Sequence, residues 1–105
     1  MLYAITRRDR PGMAAERARL QPAHAEYQKP FLPRIVFGGG MVGDAIDTAA
    51  DVDISDVIGN VLVMDVPDRA AAEAFHRDDP YTKAGLFETV IIERLWQRVP
   101  PPDAD

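Results

Sequence analysis

The sequence predicts an α+β fold of the ferredoxin-like kind, with four strands in one antiparallel sheet and two helices on one of its faces. Three observations predict it. Short apolar, β-prone runs occur four times, at 2–7, 34–37, 57–66 and 87–96. Two stretches with helical character follow the first and the third of these runs, which gives the order β-α-β-β-α-β. The 105 residues suit a single domain, expected over 1–98, and roughly 65% of the surface of such a chain can be buried without staples.

The elements follow in order. Leu2 to Arg7 is short and apolar, and Asp9-Arg10-Pro11-Gly12 ends it with turn residues. From Met13 to about Phe31 the pattern is helical: Leu20, Ala23, His24, Tyr27 and Phe31 share one face. Pro22 interrupts it, because proline loses its own hydrogen bond and crowds the carbonyl of Ala18. A kinked helix and a new helix starting at Pro22 both fit. Arg34 to Phe37 is the second strand, running into Gly38-Gly39-Gly40, and Met41 to Ser55 is a polar, Asp-rich loop, in part a hairpin. Val57 to Val66 is the third strand, with a bend expected at Gly59-Asn60. Asp68 is a good N-cap for a helix with Ala71, Ala74 and Phe75 as its buried stripe. Asp78-Asp79-Pro80 stops that helix, and Tyr81 to Leu86 has room for one helical turn that Gly85 can close. Phe87 to Trp96 is the fourth strand, and residues 99–105, with three prolines, are expected to form a loose tail.

A half-exposed strand alternates apolar and polar residues, whereas Val61-Leu62-Val63-Met64 and Val90-Ile91-Ile92 do not. Both faces of the sheet centre therefore read as buried, and no third long helix is present to cover the second face. A second copy of the chain, sheet face against sheet face, solves this and predicts a homodimer enclosing a barrel-like interior.

Composition excludes several classes. A net charge of −5 lacks the basic excess of a nucleic-acid site. No apolar run approaches the roughly 20 residues of a membrane span. The N-terminus carries Arg7 and Arg8 after its apolar run, the wrong order for a signal peptide, so the cytoplasm is the expected location. There is no cysteine and there are only two histidines, so thiolate and His-rich metal sites are ruled out. Gly38-x-Gly40-x-x-Gly43 matches a dinucleotide fingerprint in letters only: the acidic stretch from Asp44 to Asp53 would repel a pyrophosphate. The glycines read instead as a bulge or a close backbone approach. The aspartates at 44, 47, 51, 53 and 56 lack the glycine and glutamate of a calcium loop and read as a solvated loop. No cofactor and no metal are expected.

Taken singly, the remaining polar residues have plain explanations. Asp79-Pro80 is how helices commonly start. His76 ends a helix, and His24 lies on an apolar face between Leu20 and Tyr27. Their combination points further. Arg19-Leu20-Gln21-Pro22-Ala23-His24, the glycine-rich end of the second strand, the helix from Val66 to Phe75 and Asp78-Asp79-Pro80-Tyr81 followed by Ala84-Gly85-Leu86-Phe87 together resemble the YciI-like family. The resemblance covers Met1 to about Trp96. It implies a dimeric α+β barrel with a histidine and an aspartate in an active-site cavity, by motif match His24 and Asp79. Family members often carry Gly-Pro where this chain has Gly39-Gly40, and the loop after Gly43 is longer and more acidic here. The implied chemistry is acid–base work on small cyclic or aromatic molecules, by elimination or isomerisation. His24 then serves as general base and Asp79 orients it. Arg19 is the candidate for a substrate carboxylate or phenolate, Tyr81 for stacking on a ring, and Gly39 and Gly40 for the pocket wall. If the helix begins at Pro22, its dipole opposes protonation of His24. The alternative is a non-catalytic dimer that binds a small ligand.

Overall fold

The computed structural model describes residues 1–102. Strands β1 (Leu2–Asp9), β2 (Ile35–Val42), β3 (Val57–Asp65) and β4 (Phe87–Leu95) form one sheet in the order β2-β3-β1-β4, with every neighbouring pair antiparallel. Helices α1 (Ala14–Gln28) and α2 (Arg69–Asp78) form the two connections of the predicted pattern, and α3 (Pro80–Lys83) is a single turn. The ferredoxin-like α+β fold is therefore the observed one.

Strand β1 alternates between the two faces of the sheet. On β1, Tyr3, Ile5, Arg7 and Asp9 are buried, and they point to one face. Register sets Met64, Leu62 and Asn60 of β3 beside Tyr3, Ile5 and Arg7. The core holds Tyr3, Ile5, Leu62, Met64, Val66, Ala72 and Phe75, with Tyr27 and Phe31 packed against it. Full burial of a residue such as Phe75 stabilises by about 1.5–3 kcal/mol. A smaller cluster of Tyr81, Leu86 and Phe87 continues this layer below α1 and α3.

Several local expectations change. Helix α1 is continuous across Pro22, which stands on its exposed side, and it begins about three turns before His24. A dipole argument for His24 therefore does not hold. Ala23 is exposed, and the inward stripe of α1 runs instead through Arg17, Leu20, His24 and Tyr27. On α2 the most buried alanine is Ala72 rather than Ala74. Strand β2 does not end at Phe37 but passes through all three glycines, paired with β3. Its register shifts between Ile35 and Phe37 and again between Met41 and Val42, so the irregularities flank the glycines. Gly59-Asn60 makes no bend and lies in regular pairing with Arg7-Arg8. Asp68 caps α2 by accepting from the Ala71 N–H, and Gly85, at φ +73°, closes the turn after α3 in a left-handed conformation suited to glycine. Residues 99–102 carry no helix or strand, and the rest of the expected tail, 103–105, lies outside the described residues.

Among the described residues, no helix covers the face of the sheet turned away from α1 and α2. Phe37, Val61, Val63, Thr6 and Ile91 fall on it by register. Phe37 is 61% exposed and Ile91 56%. The acidic loop uses its aspartates locally: Asp47 accepts from the Ala49 N–H and Asp53 from the Ser55 N–H, both at 2.9 Å. No cluster of three potential metal-ligating side chains occurs among the described residues, and no helix there is long and apolar enough to cross a membrane.

Candidate functional site

A charged cluster lies buried between β1, α1 and α3. Its centre is Asp79, which is fully buried. Asp79 caps α3, its Oδ1 accepting from the Tyr81 N–H at 2.9 Å, and Pro80 behind it fixes the first helical position. The same carboxylate faces α1, where His24 Nδ1 lies 3.0 Å from Oδ1 and 2.9 Å from Oδ2. From β1, Arg7 Nη1 donates to Oδ2 at 3.1 Å. The structure thus brings together His24 and Asp79, 55 residues apart in sequence.

Electrostatics fix the protonation pattern. Burial alone would push the Asp79 carboxyl up. The hydrogen bond from His24 and the charge of Arg7 outweigh it and hold Asp79 below the usual carboxylate range. An ionised carboxylate only accepts, so the proton of neutral His24 sits on Nδ1 and its Nε2 carries the free lone pair. Nε2 has no protein partner among the described residues, and the His24 side chain keeps 11% of its surface exposed. The Tyr81 ring lies parallel to the imidazole, with centroids 4.3 Å apart. Burial raises the Tyr81 phenol above its ordinary value, so it remains protonated at neutral pH.

Two arginines complete the cluster. Arg7 has no exposed surface: its guanidinium lies 4.5 Å above the Phe87 ring, its Nε donates to Asn60 Oδ1 at 2.9 Å, and its Nη1 also meets His76 Nδ1 at 3.3 Å. Burial draws this guanidinium below its ordinary value against the attraction of Asp79, yet arginine stays a cation at neutral pH. Arg7 Nη2 is the one buried side-chain polar atom without a partner among the described residues. Arg17 forms a two-pronged pair with Asp9, at 2.6 and 2.7 Å, and lies 4.6 Å above the Tyr81 ring. His76 is held below its ordinary value by burial first and by Arg7 second, so it is neutral. A neutral His76 accepts the Arg7 N–H at Nδ1.

A cavity of about 320 Å³ adjoins the cluster. One wall is α1, through Arg17, Gln21 and Gln28, and His24 falls in the same helical stripe. The other is the glycine run of β2, Gly38 to Gly40, with Asn60 and Tyr81 between the walls. His24 and Asp79 do not themselves line it. A larger concavity of about 460 Å³, around Arg8, Arg10, Met13 and Glu88, touches neither. Volume does not decide between them: only the smaller one is lined by Tyr81, which stacks on His24 and donates its N–H to Asp79.

The remaining predicted residues fall as follows. Gly39 and Gly40 line the cavity. Tyr81 does too, but at 2% exposure its ring packs on His24 and offers no face to a ligand ring. Arg19 points to solvent, pairs with Glu16 at 2.6 Å and is not brought to the site. Arg7, Arg17 and Asn60 belong to the cluster and are absent from the sequence-level set. The inward phase of Tyr3-Ile5-Arg7-Asp9 and the seven-residue spacing from Arg17 to His24 were the available signals.

The chain is similar to known proteins over nearly its whole length. The YCII-related domain family matches residues 1–96. The 5-chloro-2-hydroxyhydroquinone dehydrochlorinase TftG of Burkholderia phenoliruptrix AC1100, solved in complex with 2,5-dihydroxybenzoquinone, is similar with a TM-score of 0.86 and 35% identity. That likeness covers 94% of this chain and 97% of the dehydrochlorinase. A NIPSNAP family protein of Agrobacterium tumefaciens C58 shares the fold at 16% identity and a TM-score of 0.55, over 96% of this chain and 95% of its own. Protein Atu4242 of Agrobacterium tumefaciens does so at 18% and 0.54, over 97% and 98%. No curated protein matches the chain. With the family matched over nearly its whole length and a relative above 30% identity, the chain belongs to the YCII-related domain family.

Proposed function

We propose that this protein is a small enzyme that moves protons on a hydroxylated aromatic or cyclic metabolite, with His24 as general base and Asp79 as its orienting carboxylate. One observation carries the reading: His24 Nδ1 sits within 3.0 Å of both oxygens of an ionised, buried carboxylate, while Nε2 has no protein partner. This is the arrangement a reversible proton acceptor needs near neutral pH. The likeness to a dehydrochlorinase of a chlorinated hydroxyhydroquinone supports elimination from a ring that bears both hydroxyls and a halide.

The steps balance without an outside oxidant. Nε2 takes a proton from one ring hydroxyl, and the imidazolium returns it to the carbon bearing the halide as the ring becomes a ketone. A second hydroxyl then gives its proton to Nε2 while the halide leaves with its bonding electrons. The net change is loss of one proton and one halide ion, and proton transfer through an imidazole calls for no resident cofactor. Asp79 stabilises the imidazolium and keeps its orientation throughout. The glycine backbone of β2 gives a flat ring room in the cavity, and His24, which stands between the cavity-lining Gln21 and Gln28 on α1, has to turn Nε2 toward it; two copies joined through their open sheet faces complete the assembly.

The test is turnover of chlorinated hydroxyhydroquinones followed by halide release. His24→Gln should reduce kcat at least about 100-fold, the usual worth of general-base catalysis, with the fold retained. Wild-type turnover by that variant would sink the proposal and favour a ligand-binding role for the cavity.

A further inference from the structure

Asn60 is placed by Arg7. The two face each other across β1 and β3, and Arg7 Nε donates to the Asn60 side-chain oxygen at 2.9 Å. A guanidinium has five donors and no acceptor, so only the amide oxygen of Asn60 can turn toward it. The amide NH2 must then turn away. It has no protein partner among the described residues, and it is not a sealed atom, since Arg7 Nη2 alone is buried and unpartnered there. Asn60 lines the cavity, and its neighbour across β2 is Gly40, which has no side chain to shade it.

We infer that Asn60 is a substrate-binding residue whose NH2 donates a hydrogen bond to a ring oxygen in the cavity. This rests on the proposed function and adds a group that acts directly on the substrate. The charges around the cavity already balance: Arg7 faces Asp79 and Arg17 faces Asp9. Among the described residues the one cation that lines the cavity, Arg17, is already paired. A neutral amide donor suits an oxygen that is a hydroxyl in the ground state and gains negative charge when its proton leaves. Arg7 thereby serves both ends of the site, orienting Asn60 through Nε and Asp79 through Nη1.

The experiment measures 2,5-dihydroxybenzoquinone binding by absorbance titration for wild type, Asn60→Asp, Asn60→Ala and His24→Gln. Asn60→Asp keeps an oxygen for Arg7 and loses only the donor. Asn60→Ala loses the donor without adding charge. Both should bind at least about tenfold more weakly, the worth of one hydrogen bond to a charged group, while His24→Gln still binds. Wild-type affinity in either folded Asn60 variant overturns the inference, and if the alanine variant does not fold, Asn60→Asp decides alone. Failure of the wild type to bind overturns the inference together with the ring-binding reading. Undiminished turnover by His24→Gln sinks the general base alone, and a weakened Asn60→Asp then still supports the cavity donor.

Discussion

Two oxygens of Asp79 serve three donors from three elements: His24 of α1, Arg7 of β1 and the Tyr81 N–H of α3. Removing one partner of a buried pair of this kind costs about 3–5 kcal/mol, because the other charge is left unmatched. The pH response follows from the two shifted groups. Folded His76 stays neutral below its ordinary value of 6.5, whereas the unfolded chain takes up a proton there. Its contribution is therefore full above 6.5 and declines as the pH falls from there toward the folded value. Asp79 acts lower: its stabilisation is full above the ordinary 3.8 and is lost as the pH falls through the still lower folded value. His76→Gln should flatten the first decline and leave the second. Urea unfolding at about pH 7.5 and about pH 5 reads this, and an equal loss in variant and wild type contradicts the assignment. Of the cluster, His24 and Asp79 were legible in the sequence through their motifs. Arg7 and Arg17 were not, since a charged residue in a strand or helix reads as a solvent face until its buried partner is known. For Arg7 that partner is 72 residues away.

At the scale of elements, the glycines of β2 and β3 are not equivalent. A Cβ on Gly59 would meet the Arg7 carbonyl oxygen, and the Met41 methyl at 2.7 Å, so β3 would have to move from β1. A Cβ on Gly39 meets nothing within 4 Å. Gly59→Ala should therefore destabilise by about 1–3 kcal/mol, as overpacking does. Gly39→Ala should stay within about 0.5 kcal/mol of wild type. Denaturant midpoints for the pair test this, and similar midpoints would count against the packing argument. The element order, the Asp68 cap and the Gly85 turn were readable because local chemistry dictates them. The course of β2 through Gly38-Gly39-Gly40 was not, because glycine argues locally for a turn and only pairing with β3 makes it strand. Pro22 left one helix or two open, and packing of the Arg17-to-Tyr27 stripe decides for one, holding α1 together across a missing hydrogen bond.

For the whole molecule, the exposed apolar sheet face remains the main claim on a partner. Val36 is 54% exposed, Phe37 61% and Ile91 56%, all on or beside this face. A second copy would remove them from water at about 25 cal/mol per Å². Sedimentation should show two chains per particle, and Ile91→Lys should shift the protein toward one chain by placing a charge at the centre of the join. A wild-type protein that sediments as a single chain would end the dimer proposal. The absence of alternation in β3 and β4 signalled this face in the sequence, although Val90 turns toward the helices and only Ile91 lies on the open side.

Asp79 is at once the helix cap and the partner of the imidazole, and the two duties share one proton. Protonating it would weaken the acceptor for the Tyr81 N–H and remove the counter-charge for Arg7 and the anchor of the His24 tautomer in a single event. Chemistry and architecture thus have a common point of failure. Acid strong enough to protonate Asp79 should therefore free Arg7 and loosen α3 together.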